Sequence, residues 1–520
     1  MREIFFTTED AEDMTAGNPR GTEDAEYTEE TGILLRGFGI PLRPPRPLRL
    51  SLAVLAVLGL AGCNLALDYV RPAPPVSAQW PESAPANGAR HVADVDWHSF
   101  FPDPRLQALI ADALDNNRDM HIATARVAEA RALYGIQSAD RLPNINLNVD
   151  RNAERTPAAV SQIGRPVTSQ RYDVNLGLLS FELDFWGRVR NLSDAALASY
   201  LSTEEARRAF RLSLISDVAN AYLTLQEMDE RTALTRETLR SRQGTRDLTD
   251  KRREVGVAGD LDFLVADAAL QSARAELSSL ERQQAAASNA LRLLVGQAPA
   301  DLPPGRQLSE QGIVADLEAD LPSDVLLKRP DVLAAEQKLI AANANIGAAR
   351  AAFLPQITLT GFYGTASNGL SGLFKAGSEA WSFQPVLSQP LFDAGRNSSN
   401  VDLAEARKVI AVAEYEKAIQ QAFREVADLL AARGKLNEQL QAQEATAAAQ
   451  QRRLQLTEAR YTGGVASYLE VLDAQRESFT AQQDAVQVRT QLLSSAVQLY
   501  KALGGGDEKR DSTASRPAIP

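Results

Sequence analysis

Two stretches of this chain, 208 residues apart, are near copies of each other, so any fold must use the same unit twice. The first is Arg253-Glu-Val-Gly-Val-Ala-Gly-Asp-Leu-Asp-Phe-Leu-Val-Ala266. The second is Arg460-Tyr-Thr-Gly-Gly-Val-Ala-Ser-Tyr-Leu-Glu-Val-Leu-Asp-Ala-Gln475. Superposing Gly256 on Gly464 also brings Val257 onto Val465, Ala258 onto Ala466, Leu261 onto Leu469 and Asp262 onto Glu470. The same shift carries Gly187-Arg188 onto Gly395-Arg396 and Val295-Gly296 onto Leu503-Gly504. A second echo, at a shift of 212, sets Asp119 on Asp331, Gly135 on Gly347 and Leu142-Pro143 on Leu354-Pro355. A chain of 520 residues ordinarily suggests several domains. One unit used twice can instead make a single body.

The repeated stretches read as tips between very long helices. The second lies within a proline-free run from Leu391 to Arg516 whose flanks are Ala, Leu, Gln, Glu and Arg. The first lies in a proline-free run from Gly187 to Ala298. Arg188–Gln243 alone would span roughly 80 Å if helical. Gly244, Gly256, Gly259, Gly463 and Gly464 are expected to break these helices; no strand precedes them, so they do not form a phosphate loop. Ile419, Phe423, Val426 and Leu430, spaced 4, 3, 4, form a coiled-coil stripe. From Asp103 to Asp140 the pattern is again helical, with Leu106, Leu109, Ile110 and Leu114 on one face. After each Leu-Pro the period drops to 2. Asn144–Asp150 and Gln356–Thr360 alternate polar and apolar residues, which predicts strands. A second strand follows each, over Tyr172–Phe185 and Trp381–Phe392. The apolar phase slips between Leu178 and Phe181, which predicts a bulge. Pro385 and Pro390 argue against a central place for the last strand.

The start of the chain is a targeting segment. Arg43, Arg46 and Arg49 precede the apolar run Leu50–Leu60, which has signal-peptide length and is too short to span a membrane as a helix. Leu60-Ala61-Gly62-Cys63 resembles the bacterial lipoprotein signal, and Cys63 is the only cysteine. Cys63 is therefore the expected lipidation site, and the Asn64 that follows implies sorting to the outer membrane. The net charge is −12, and residues 1–40 carry 10 acids against 3 bases, which is unlike a signal n-region and argues against nucleic-acid binding. The chain thus divides into an acidic extension (1–41), a signal peptide (42–62) and a lipidated, proline-rich tether (63–102). The first repeat (103–298) holds a hairpin at 143–185. A linker (299–322), a second repeat (323–504) with a hairpin at 355–393, and a disordered tail (505–520) complete it. The fold class is mainly α with a small β part.

An exported lipoprotein with four alternating strands points to a membrane β-barrel. Four strands cannot close one, and an open edge is not tolerated in lipid. Two chains would give eight strands and three would give twelve. A periplasmic coiled coil bearing two ordinary hairpins fits the same periodicity. No catalytic constellation is present. His91, His98 and His121 lack ligand spacing, so neither an enzyme, a metal site nor a cofactor is expected.

Several separated motifs carry a family resemblance. They are Trp97-His-Ser-Phe-Phe-Pro-Asp-Pro-Arg-Leu-Gln-Ala-Leu-Ile110, Asn116-Asn117-Arg118-Asp119, Glu182-Leu-Asp-Phe-Trp-Gly-Arg188, and Arg460-Tyr461 through Gly464 to Leu472-Asp473-Ala474-Gln475. Together with Cys63, Asp68-Tyr69 and Pro72 they resemble the TolC-type outer-membrane efflux proteins, in the NodT-like lipoprotein branch serving RND multidrug pumps. The chain departs from that branch in its acidic extension and in Asn64–Leu67. The resemblance implies a homotrimer whose twelve strands close a barrel above a long α-helical barrel, with residues 299–322 near an equatorial belt. It implies a passive duct for drugs or other small molecules, joined to a periplasmic adaptor and an inner-membrane RND transporter; the same fold also serves protein secretion. The small residues Gly256-Val257-Ala258 and Gly464-Val465-Ala466 permit a tight turn and close approach of the adaptor. The resemblance places Asp473 at the pore's narrow end. Glu470 lies one turn away on the same face, and Asp262 is its counterpart in the first repeat. Arg460 and Arg253, near the tips, are candidates for holding that gate closed.

Overall fold

The computed structural model describes residues 64–81, 90–91, 95–297, 302–313, 317–318 and 326–505. The acidic extension, the signal peptide, Cys63 and the tail beyond Gly505 lie outside the described residues. The two repeats have nearly matching helices. In the first, α1 (Trp97–Phe100), α2 (Pro104–Asn116) and α3 (Arg118–Ala139) lead to the sheet. A 67-residue helix α4 (Arg188–Glu254) and α5 (Asp260–Val295) follow it. In the second, α6 (Pro330–Ala351) corresponds to α3, and α7 (Arg396–Thr462) is again 67 residues long, followed by α8 (Tyr468–Ala502). Each 67-residue helix is about 100 Å long. Gly187 and Gly395 start them in the left-handed region, at φ 72° and 83°.

Gly244 does not break its helix. It lies inside α4, where its missing side chain faces open space, and Gly434 sits likewise inside α7. A lone glycine costs only about 1 kcal/mol against alanine, and packing along a long helix offsets that.

Short strands β1 (Arg90–His91) and β4 (Leu317–Glu318) pair in parallel. The main sheet comprises β2 (Ile145–Thr156), β3 (Val167–Glu182), β5 (Gln356–Ser367) and β6 (Glu379–Ser388). All its pairings are antiparallel in the order β2-β3-β5-β6, which leaves an edge on β2 and another on β6. The register shift falls between Leu178 and Phe181, where Ser180 has φ 50°. All four strands differ from the sequence-based bounds: β2 runs on past Asp150 to Thr156 and β5 past Thr360 to Ser367. β3 starts at Val167 instead of Tyr172, because the polar run Val167–Arg171 pairs with Thr156–Asn152. β6 ends at Ser388, ahead of Pro390, and Pro385 is accommodated because β6 is an edge.

The Glu182–Arg188 motif joins sheet to helix. Arg188 donates to Glu182 at 2.9 Å, Gln356 donates to the same carboxylate at 2.6 Å, and the Trp186 indole donates to the Pro355 carbonyl at 2.8 Å. Asp184 accepts from the Arg190 amide at 2.7 Å, capping α4.

The core lies at mid-height of the helices. Phe100, Phe101, Leu106 and Ile110 are fully buried against Leu223 of α4, Ile419 and Val426 of α7, and Tyr500 of α8. The Phe100 and Tyr500 rings stack with centroids 4.3 Å apart. Asp103, fully buried, accepts from the Tyr222 hydroxyl (2.8 Å), the Arg306 amide (3.1 Å) and the Gln311 side chain (3.1 Å), pinning the 302–313 segment to the first repeat.

The segment read as a tether is docked along much of its length. Arg71 grips Glu336 of α6 with two bonds of 2.6 and 2.7 Å, and the Tyr69 hydroxyl donates to it at 3.0 Å. Asn343 donates to the Leu67 carbonyl at 2.7 Å, and the Trp80 ring stacks on Phe423 at 4.9 Å. A side chain at Gly347 would strike Ala66. Trp97–Phe101, also placed in the tether by sequence, belong to the core, since two phenylalanines and a tryptophan bury too much apolar area to stay in solvent.

Candidate functional site

The two helix tips are closed by the same device. Gly256 and Gly464 have φ 78° and 77°. The following amides bond five residues back, Val257 to the Arg252 carbonyl (2.8 Å) and Val465 to Arg460 (2.9 Å). The glycine amides bond to Arg253 (2.9 Å) and Tyr461 (3.0 Å). These are paired Schellman caps, and they satisfy the last carbonyls of α4 and α7. Three residues further on, α8 starts with a capping box between Ser467 and Glu470, and α5, whose N-cap Gly259 has no side chain, keeps only the reciprocal half. Glu470 accepts from the Ser467 amide at 3.0 Å and Asp262 accepts from the Gly259 amide at 3.4 Å. Val257, Leu261, Val465 and Leu469 remain more than two-thirds exposed around these turns. Ala258 is half-buried and so is Ala466.

The acids proposed for the gate sit on α8 with different partners. Asp473 accepts from Arg453 of α7 at 2.7 Å and from Arg476 at 2.8 Å. Glu470 is turned back onto its own helix start. Its carboxyl lies below the ordinary range, chiefly through the Ser467 amide, then the Ser467 hydroxyl and the nearby Arg460. Arg460 and Glu470 line an open concavity of about 930 Å³ with Arg452, Arg453 and Val465. Arg253 binds Asp250 at 2.8 Å and lies 4.2 Å over the Phe263 ring. Within the protomer Asp473 is held by Arg453 and Arg476, while Arg253 is taken up by Asp250 and Arg460 stands near Glu470. Sequence held the signal for Arg453. It lies ten residues before Gly463 and Asp473 lies ten after, so a helical hairpin sets them opposite. The first repeat has Val265 at the position of Asp473, so this pair exists once per chain.

A further link joins the two tips. Arg252 donates to the Tyr461 hydroxyl at 2.6 Å and lies 5.2 Å over its ring. Tyr468 packs 5.8 Å from Tyr461, and burial, with Tyr461 second, pushes its hydroxyl up to about 12.

At the opposite end the sheet has two chemically distinct faces. Ile145, Leu147 and Val149 are opposite Leu178, Leu176 and Val174; Tyr363 is opposite Trp381, and Gly361 opposite Phe383. Cross-strand partners share a face, so these residues form one apolar face, with Leu147, Leu176, Tyr363, Trp381 and Phe383 all more than half exposed. The other face carries Asn146, Asn148, Asp150, Asp173 and Asn175, with Asn148 donating to Asn175 at 3.1 Å. Among the described residues no helix is long and apolar enough to cross a membrane, whereas an apolar-out, polar-in sheet has the pattern of a barrel wall.

Known proteins share this construction. The family model described as outer membrane efflux protein matches residues 109–297 and 321–505. The toluene efflux pump outer membrane protein TtgF of Pseudomonas putida is 45% identical over 476 residues, covering 90% of this chain and 98% of the relative. Outer membrane protein OprJ of Pseudomonas aeruginosa is 45% identical over 466 residues, covering 89% and 97%. The open state of the Neisseria gonorrhoeae MtrE outer membrane channel superposes with a TM-score of 0.79 at 38% identity, covering 85% of this chain and 98% of that one. With both repeats inside the family model and relatives matched over nearly their whole length, the chain belongs to the outer membrane efflux protein family.

Proposed function

We propose that this chain is the outer-membrane duct of a tripartite efflux system, working as a homotrimer and passively conducting drugs or other small molecules. The observation that carries the reading is the four-stranded sheet, open at β2 and β6 and apolar on one face. Three copies joined edge to edge give twelve strands and remove every edge from lipid. Relatives named for toluene efflux support small molecules as the cargo.

In this reading the 67-residue helices reach down through the periplasm. The tips at Gly256-Val257-Ala258 and Gly464-Val465-Ala466 receive the periplasmic adaptor, and the adaptor joins the duct to an inner-membrane RND transporter. Asp473, with Glu470 and Asp262, rings the narrow end. Cys63 carries lipid in the inner leaflet of the outer membrane. Purified protein should run as three copies in native mass spectrometry and open channels in planar bilayers. A monomer without conductance would refute the reading.

A further inference from the structure

Charge is sorted across the upper half of β2 and β3, towards their hairpin loop; among the described strand residues Glu379, at the start of β6, is the one acid on the face that carries Arg151 and Arg155. Arg151 and Arg155 of β2 share the apolar face with Ile145, Leu147 and Val149, by strict alternation. On the other face stand Asp150, Glu154 and Asp173 with Arg171, three acids and one base, and Arg171 pairs with Asp173 at 2.8 Å. All three acids lie on the face away from Arg151 and Arg155. Among the described residues neither arginine has a carboxylate partner. The one contact of Arg151 is with a ring: its guanidinium stands 5.6 Å over Tyr172, its cross-strand neighbour. Tyr172 stands level with Arg151, just above the last apolar pair Val149 and Val174, while Tyr363 and Trp381 stand two same-face positions lower, level with Leu147.

We infer that Arg151 and Arg155, beside Tyr172 at the upper end of the apolar face, bind the phosphate groups of anionic lipid in the outer leaflet. The inference rests on the outer-membrane reading above, which puts the hairpin loops outside and the apolar face in lipid. Aromatic rows mark the level where tails give way to headgroups. From Ile357 to Ser367, the β5 residue level with Tyr172 and Arg151, the strand runs about 33 Å, which at the usual tilt of about 40° is about 25 Å of height, the full apolar band of such barrels. An arginine at that level sits among headgroups, where a guanidinium takes two phosphate oxygens in a fork that lysine cannot match. Stacking on Tyr172 fixes the plane of that fork. Arg155, about 13 Å further along the same face, reaches a second phosphate of the same layer. The occupant is therefore a phosphorylated lipid, since a lone phosphate ion would gain nothing from the apolar wall beneath.

The test uses the full-length protein in nonionic detergent, probed with diphosphorylated lipid A, with the same lipid stripped of phosphate, and with inorganic phosphate. Native mass spectrometry should show the phosphorylated lipid retained on the wild type. Retention should fall on the order of tenfold in the Arg151→Gln, Arg155→Gln double variant, as expected for two surface arginines. It should be unchanged in Arg171→Gln, which alters the opposite face. The phosphate-free lipid and inorganic phosphate should bind weakly to every form. If the double variant does not fold, loss of the phosphorylated lipid from wild type as salt rises carries the same expectation. Equal retention of phosphorylated and phosphate-free lipid by a wild type that conducts normally would overturn the inference. A wild type that neither conducts nor retains any lipid would instead overturn the channel reading beneath it.

Discussion

At the scale of single residues the tip of α8 makes two separable predictions. Asp473 is half-exposed and held by Arg453 and Arg476. In the proposed trimer, three copies around one axis would select cations and bind multivalent ones. Asp473→Ala should weaken block by trivalent cations added from the tip side, and Asp473→Ala with Glu470→Ala should also raise conductance; bilayer recordings check both. Glu470 has a second duty as the cap of its own helix. Its carboxyl is held below the ordinary range by the Ser467 amide first. A depressed folded value means the cap contributes above the unfolded pKa of about 4.3 and is lost as pH falls through the lower folded value. The protection of the Ser467 amide from hydrogen exchange, after correction for the intrinsic pH dependence of exchange, should therefore fall as pH drops through the depressed folded value, and Glu470→Gln should remove that dependence while keeping the bond. The expectation for Asp473 comes from the resemblance of its motif to a known one. Arg453 was missed because no contiguous motif marks it; its signal, the equal ten-residue spacing about Gly463, has meaning only once the hairpin is folded there.

At the scale of elements, two devices differ in what they need from their residues. The Schellman turns need φ near +78° at Gly256 and Gly464, with open space around both. Gly464→Ala should cost about 1 kcal/mol from the backbone alone, whereas Gly463→Ala, at φ −75°, should be nearly neutral; thermal unfolding separates them. Glutamate at both Ala258 and Ala466 should abolish drug export while leaving trimers in the outer membrane, and unchanged resistance would count against adaptor docking there. The docked segment 66–80 depends on one buried carboxylate. Removing Arg71 leaves Glu336 uncompensated, so Arg71→Ala should destabilise more than Arg71→Ala with Glu336→Gln, by about 1–3 kcal/mol. Limited proteolysis between Leu67 and Trp80 reports the release. Proline content suggested a free tether here, because composition shows stiffness but not the partner surface 265 residues away that accepts Arg71.

At the scale of the whole molecule, the sheet is proposed to be completed by other copies and the chain to carry a lipid besides. A barrel spans the membrane without a lipid, so Cys63→Ser should lose labelling by a fatty-acid analogue yet keep export. Equal labelling of wild type and variant would remove Cys63 as the acceptor. Trimer number and conductance test the remainder.

The sequence by itself determined the duplication, the long helices, the tips and the positions of four strands, because these follow from short-range rules. Period, proline placement and left-handed glycine act within a few residues, and a repeat reports itself by comparison with its own copy. It also located the bulge at Leu178–Phe181, since a slipped phase is visible wherever a strand alternates. What only the tertiary structure decided concerns contacts between distant segments. Gly244 is helical because the surrounding helix outweighs its local cost. Trp97–Phe101 are core because Tyr500, some 400 residues later, closes over them. Glu336 holds Arg71, and Arg453 holds Asp473, because packing sets opposite charges side by side where no local period links them. The sorting of Arg151 and Arg155 from Asp150, Glu154 and Asp173 belongs to both levels: alternation fixes which residues share a face, and the pairing of strands fixes what each face meets.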